Sequence, residues 1–97
     1  MENREQYIKL YSLYKELLSE SEKKYFEYYY YEDYSYTEIS ELMEVSKVFV
    51  GKMINKCNKK LISFESKLKL LQKKNELLEL SNTIKDEKIK SKLQELL

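Results

Sequence analysis

Residues 34–61 read YSYTEISELMEVSKVFVGKMINKCNKKL, and this stretch decides the fold. It predicts two helices joined by a tight turn. Ser35 and Glu38 have the spacing of a capping box, in which a hydroxyl and a carboxylate satisfy backbone amides at the start of a helix. Ser46 is placed to cap the second helix with its side-chain oxygen. Two capped helices around a short turn predict a helix-turn-helix, whose second helix enters the major groove in DNA-binding proteins.

The second helix of this pair is apolar on one side and basic on the other. Between residues 47 and 60 the chain has five lysines and no acidic residue. With about 100° between successive residues, the side predicted to be buried contains Val50, Met53, Ile54, Cys57 and Leu61. The candidate nucleic-acid-binding residues of this helix are Lys47, Lys52, Asn55, Lys56, Lys59 and Lys60. A lysine-rich helix face that only meets solvent is the alternative, and the capped partner helix favours nucleic acid.

Composition favours an all-α protein of one domain. The chain has 97 residues, no proline and a single glycine, so little interrupts helices. Charge is unevenly distributed: residues 1–46 carry five Lys/Arg and eleven Asp/Glu, whereas residues 47–97 carry thirteen and six. This asymmetry suits a protein that presents one basic face to a polyanion.

Several classes of protein are disfavoured by what the sequence lacks. One cysteine and no histidine argue against a disulfide framework and an ordinary zinc site, and no cofactor is expected. No histidine or glycine-rich phosphate loop is present, Cys57 has no base beside it, and the carboxylates fall on solvent faces, so no catalytic residue is assigned. No apolar run has the length of a membrane span and the start MENREQ lacks a signal-peptide pattern, which predicts a cytoplasmic protein without a membrane partner.

Two tyrosine-rich helices are predicted before the central stretch, at about residues 5–18 and 20–32. A second Ser-x-x-Glu capping box starts the latter. Phe26, Tyr29 and Tyr30 have the spacing of a core-facing stripe, and the other tyrosines of this helix are expected at its boundary. Stacking of the tyrosines on bases is the alternative, but the acidic residues around them favour a core.

The apolar stripe of the basic helix continues beyond the central stretch. From Val50 to Leu78 it recurs at alternating spacings of four and three residues, which is a heptad pattern. A single helix from Lys47 to about Leu80 would be roughly 50 Å long, more than a domain of this size can cover. The tail therefore either pairs with a second copy of the chain or breaks and folds back.

These patterns predict a helix-turn-helix domain at residues 1–71 and a C-terminal helical tail at residues 72–97. The domain has helices at about 36–43 and 47–71 or beyond, in addition to the two tyrosine-rich ones. Ile39, Leu42 and Met43 are expected to face the core from the shorter helix. The unexplained leucine stripe favours homodimerisation through the tail.

The chain also resembles a known group of proteins. The segments LSES, YFEYYY and SYTEISELMEVSK, which begin at residues 18, 25 and 35, resemble region 4 of sigma factors. Together with YIKLYSLYKELL at residues 7–18, they are similar to the YlxM family, small bacterial helix-turn-helix proteins encoded near genes of the signal recognition particle. The resemblance implies an all-α, region-4-like helix-turn-helix bundle with a long C-terminal helical extension, and a regulatory link to that particle.

The resemblance also assigns roles within the helix-turn-helix. It implies that Ser46 is the cap, that Val50 is a buried anchor and that Lys47 replaces an arginine. Val48 and Phe49 depart from the pattern, which has glutamine and alanine at these positions. Two functions follow: a regulatory protein that binds DNA or structured RNA, or an accessory protein that contacts protein or RNA components of the signal recognition particle without binding DNA.

Overall fold

The computed structural model describes residues 4–97, which contain six α-helices and no strand. The helices are α1 (Arg4–Tyr14), α2 (Glu20–Tyr30), α3 (Tyr36–Met43), α4 (Lys47–Leu68), α5 (Leu70–Asn82) and α6 (Glu87–Leu96). A short 3-10 helix, Lys15–Leu17, follows α1. The prediction of an all-α fold is confirmed. Residues 1–3 of the predicted domain lie outside the described residues.

Serine side chains begin α2, α3 and α4, as the sequence predicts. In each case the serine oxygen accepts a hydrogen bond from the amide three residues later, and in the first two the glutamate side chain accepts one from the serine amide. The pairs are Ser19–Glu22, Ser35–Glu38 and Ser46–Phe49, each with an oxygen–nitrogen distance of 3.1 Å. Local chemistry therefore fixes where these helices start.

The core lies where α1, α2 and α3 pack on α4. The predicted stripe of α4 is buried there, with Val50, Ile54, Cys57 and Leu61 at most 1% exposed. Aromatic side chains of α1 and α2 fill the other side, and the rings of Tyr11 and Phe26 stack with centroids 4.2 Å apart. Four tyrosines of α1 and α2 are core residues, in agreement with the affinity of the large apolar ring for the interior: Tyr11, Tyr14, Tyr25 and Tyr30.

Three details of the N-terminal half differ from the predictions. The first helix ends at Tyr14 rather than at residue 18, and α2 ends at Tyr30 because Asp33, with φ of 57°, turns the chain. Leu42 is 53% exposed instead of buried. In the short helix α3 the inward side is taken by Ile39, from which Leu42 is rotated by about 60°.

The predicted unbroken helix from residue 47 to 71 or beyond is wrong. Helix α4 ends at Leu68, and Lys69 adopts the left-handed conformation with φ of 54° and ψ of 35°. The next helix packs back on α1, and α6 packs on α5. Of the two alternatives for the tail, the chain breaks and folds back, although at Lys69 rather than farther along.

A side-chain network stabilises this break. The Tyr14 hydroxyl donates to the Glu65 carboxylate at 2.7 Å and accepts from the Leu70 amide at 3.0 Å. Glu65 also accepts from the amides of Leu71 and Gln72 at 3.0 and 3.1 Å. The first amides of a helix have no partner within it, so these contacts compensate the start of α5.

The folded-back tail does not make the molecule spherical. The radius of gyration is 17.0 Å and the principal extents are 55 × 25 × 24 Å, whereas a compact domain of this length has a radius of gyration near 13 Å. None of the helices in the described part of the chain is both long and apolar enough to cross a bilayer.

Candidate nucleic-acid interface

A three-residue turn sets the angle between α3 and α4. Glu44 adopts the left-handed conformation, with φ of 56° and ψ of 46°. The Val45 amide donates to the Ser40 carbonyl at 3.0 Å, and this bond between residues five positions apart is the 6→1 hydrogen bond of a Schellman motif. Gly51 lets α4 approach the base of α3, because a Cβ at this position would lie 3.2 Å from the Tyr36 ring. This geometry is a helix-turn-helix with α4 as the second helix.

The outward side of α4 forms a shallow basic groove of about 500 Å³. Its lining residues are Lys52, Asn55, Lys56, Lys59, Lys60 and Ser63. We call this surface the basic face. Within the described part of the chain, nothing from α5 or α6 lines the groove, and Lys52, Asn55, Lys56 and Lys59 are exposed.

Lys47 is the one predicted site residue that lies apart from the basic face. It is exposed on the first turn of α4, about 140° around the helix axis from Lys52. The structure therefore brings five of the six predicted residues together and leaves Lys47 at the edge.

Lys60 differs from the other lysines of the basic face because its ammonium forms a close ion pair with a buried carboxylate. Its ammonium lies 2.7 Å from Oε2 of Glu22, and that of Lys56 lies 3.9 Å from the same oxygen. Glu22 is only 2% exposed, so the prediction that carboxylates sit on solvent faces is wrong at this position. The capping box indicated a backbone role for Glu22, but the two paired residues are 38 positions apart and no local pattern links them.

The environment of Glu22 favours its charged form. Burial acts to raise the pKa of this carboxyl, but the Lys60 ammonium and the Ser19 amide, 2.8 Å from Oε1, outweigh burial and hold the pKa below its ordinary value. On the same interface, the Cys57 thiol donates to the Glu22 carbonyl at 3.4 Å, and burial raises the pKa of Cys57 to about 12. Cys57 is thus a structural residue.

Two large apolar side chains at the start of α4 meet solvent. Val48 is 69% exposed and Phe49 is 43% exposed. The Phe49 ring contacts Tyr25 edge-on with centroids 6.0 Å apart, whereas Val48 points away on the side of the basic face. The first turn of α4 therefore presents two apolar side chains next to Lys47, ahead of the lysines of the basic face.

The fold and this surface define an all-α helix-turn-helix protein with a basic second helix. The chain belongs to the UPF0122 family, described as "Putative helix-turn-helix protein, YlxM / p13 like", whose profile matches residues 1–97. This confirms the resemblance to YlxM proteins seen in the sequence.

Relatives from several bacteria agree with this membership. A "Probable UPF0122 protein" of Mycoplasma mycoides is 43% identical over 83 residues, which cover 86% of this chain and 74% of the relative. A UPF0122 protein of Clostridium botulinum is 42% identical over 75% of this chain and 67% of its own length. One of Ureaplasma urealyticum is 34% identical over 92% of this chain and 90% of its own length. No solved structure matches the chain significantly.

Proposed function

We propose that the chain is a cytoplasmic regulatory protein that binds nucleic acid, either DNA or structured RNA, through the basic face. Lys52, Lys56 and Lys59 supply phosphate contacts, with Lys47 at the edge. The observation that carries the proposal is the exposure of these lysines, uncovered by the tail, on the second helix of a helix-turn-helix.

Phosphate contacts dominate in this proposal because of the residue types on α4. Lysine is a point charge that positions a protein on the backbone but reads little sequence. The helix has no arginine for a two-pronged contact with guanine, and Asn55 is the one side chain on the basic face that suits adenine. Binding with weak sequence preference and strong salt dependence follows.

The test is the affinity for a short mixed-sequence DNA duplex, and for an RNA hairpin, across a salt series. Three neutralised phosphates give a log–log slope of about −2.7 on the duplex. Lys52→Glu/Lys59→Glu should lower affinity at least about tenfold and flatten the slope by about 1.8. This pair avoids Lys56, which lies near the buried Glu22.

A matched control reverses two exposed lysines elsewhere, Lys15→Glu/Lys24→Glu, and changes the net charge equally. This control should bind the duplex and the hairpin more tightly than Lys52→Glu/Lys59→Glu does. No binding to either nucleic acid at low salt, or equal loss in the two double variants, would contradict the proposal.

The exposed apolar residues favour a second candidate, an accessory protein of the signal recognition particle pathway. Val48 and Phe49 suit a protein partner better than phosphate. Capture of the particle's protein or RNA by the wild type, lost in Val48→Ser but retained in Lys52→Glu/Lys59→Glu, would support this candidate. Capture that depends on the lysines alone would refute it.

Homodimerisation through the C-terminal tail remains part of the proposal. The part of the heptad stripe from Val50 to Leu61 is buried in the core of its own domain and is not available to a second chain. The hairpin of α5 and α6 instead carries exposed apolar side chains, 43–74% accessible: Leu77, Leu80, Ile89 and Leu96. We propose that two copies associate through this hairpin.

A further inference from the structure

We infer that Glu22 is an internal counter-anion of the basic face, which withholds Lys60 from a bound polyanion and thereby weakens binding. This inference rests on the proposed function and concerns the regulation of the same site. It separates Lys60, which Glu22 holds, from Lys52, Lys56 and Lys59, which can contact phosphate; Lys56 is farther from Glu22 than Lys60 is.

The distances support this division. Lys60 lines the groove and its side chain is 40% exposed, yet its ammonium lies 2.7 Å from the Glu22 carboxylate. Lys56 is 58% exposed and 3.9 Å from the same oxygen. An ion pair of this length, with a carboxylate 3% exposed, is weakly screened by solvent. A phosphate therefore competes with Glu22 for these ammonium groups.

Glu22 itself cannot follow a lysine toward solvent. One carboxylate oxygen accepts from the Ser19 amide at 2.8 Å, and the Glu22 carbonyl accepts from the Cys57 thiol at 3.4 Å. Withdrawing Lys60 would leave a buried carboxylate without its main counter-charge, which is unfavourable. Hence Lys60 stays with Glu22, and fewer lysines reach phosphate than the sequence suggests.

The same helix provides a matched control. Glu20 lies two residues before Glu22, but its side chain is 89% exposed and pairs with Lys23 of its own helix at 3.2 Å. Removing the charge of Glu20 changes the net charge equally without releasing a lysine of α4. Glutamine at position 22 retains an oxygen for the capping box, so Glu22→Gln preserves the start of α2.

The experiment measures binding of a short mixed-sequence DNA duplex by fluorescence anisotropy between about 50 and 200 mM salt. Glu22→Gln should bind several-fold more tightly than wild type, and its salt slope should steepen by about 0.9 because Lys60 is freed. Glu20→Gln should retain the wild-type slope. Thermal unfolding of each variant accompanies the titration, because a purely structural role of Glu22 would lower stability and affinity together.

A second comparison, of Glu22→Gln/Lys60→Gln with Lys59→Gln, tests the inference without leaving an unpaired charge between α2 and α4. Glu22→Gln/Lys60→Gln removes both partners and leaves no unpaired charge in the interface. Since Lys60 is already neutralised, this double variant should keep the wild-type slope, whereas Lys59→Gln should flatten it by about 0.9.

Two results would overturn the inference while the proposed function stands. One is wild-type binding that Glu22→Gln leaves unchanged in affinity and slope. The other is a Glu22→Gln/Lys60→Gln slope as flat as that of Lys59→Gln. Absence of duplex binding by wild type and all variants would instead overturn the proposed function, and this inference with it.

Discussion

Among residues 4–97, three residues with positive φ end helices, and the single glycine of the chain is used elsewhere. Asp33, Glu44 and Lys69 have φ of 57°, 56° and 54° and follow α2, α3 and α4. A side chain in this conformation costs on the order of 1 kcal/mol. At Glu44 the loss is offset by capping bonds, and at Lys69 by the network of Tyr14 and Glu65. The single glycine, Gly51, instead lies where α4 packs closely against Tyr36 of α3.

The ion pair of Glu22 should make stability depend on pH. The pKa of Glu22 is lower in the folded protein than its ordinary value of 4.5. The charged carboxylate therefore stabilises the fold above that value, and this contribution is lost as the pH falls through the lower, folded pKa. At pH 7, we expect Glu22→Gln to lower the free energy of unfolding by about 1–3 kcal/mol.

Urea unfolding of both proteins between neutral and acidic pH checks this expectation. The difference between wild type and Glu22→Gln should shrink as the solution is acidified below the ordinary pKa of glutamate. Glu20→Gln is the control, since its exposed ion pair contributes little. A difference that stays constant with pH would show that Glu22 does not gain stability from its charge.

At the level of helices, the sequence predicts what is decided locally. The start of α3 and the start of α4 follow from the serine caps directly before them, and the buried stripe of α4 follows from its own periodicity. The break at Lys69 does not. It depends on Tyr14, which meets Glu65 from 51 residues away, so the uninterrupted heptad spacing gave no sign of it.

The basic face also combines positions that the local sequence predicts with a contact that it does not predict. Helical periodicity placed Lys52, Asn55, Lys56 and Lys59 together, because all are on one helix. The partner of Lys60 is on another helix, and the capping box only showed that Glu22 begins α2. A buried carboxylate from a distant helix has no signature in the sequence of α4.

The break between α4 and α5 predicts opposite effects of glycine at neighbouring positions. Lys69→Gly should raise the free energy of unfolding by up to about 1 kcal/mol, because glycine adopts positive φ without strain. Lys67→Gly, in the last regular turn of α4, should lower it by about 1 kcal/mol. Urea unfolding measures both, and stabilisation by neither variant would mean that Lys69 is not strained.

On the scale of the whole molecule, the chain is elongated, with principal extents of 55 × 25 × 24 Å, and its C-terminal end is the hairpin of α5 and α6. The last helix has no buried residue in a single copy of the chain. Its apolar side chains and those of α5 would be covered if two hairpins packed together, with the basic faces of α4 left open. Such a dimer would offer two basic faces to one nucleic acid and increase its avidity.

This arrangement predicts that Leu80→Ser/Ile89→Ser shifts the protein from dimer to monomer in sedimentation. The two side chains are 56% and 52% exposed, so their loss should alter association more than folding. Leu17→Ser is the matched control, because Leu17 is 55% exposed but lies on the 3-10 helix after α1. A wild-type monomer, or equal weakening by both variants, would exclude the hairpin as the contact.

The sealed position of Cys57 has a practical consequence. It is the only thiol of the chain, lies at 0% exposure between α2 and α4, and is bonded to the helix that holds Glu22. A thiol reagent in solution can attack it only after those two helices separate. The rate at which Cys57 is modified therefore reports how often α2 and α4 separate. Bound nucleic acid that holds these helices together would lower this rate.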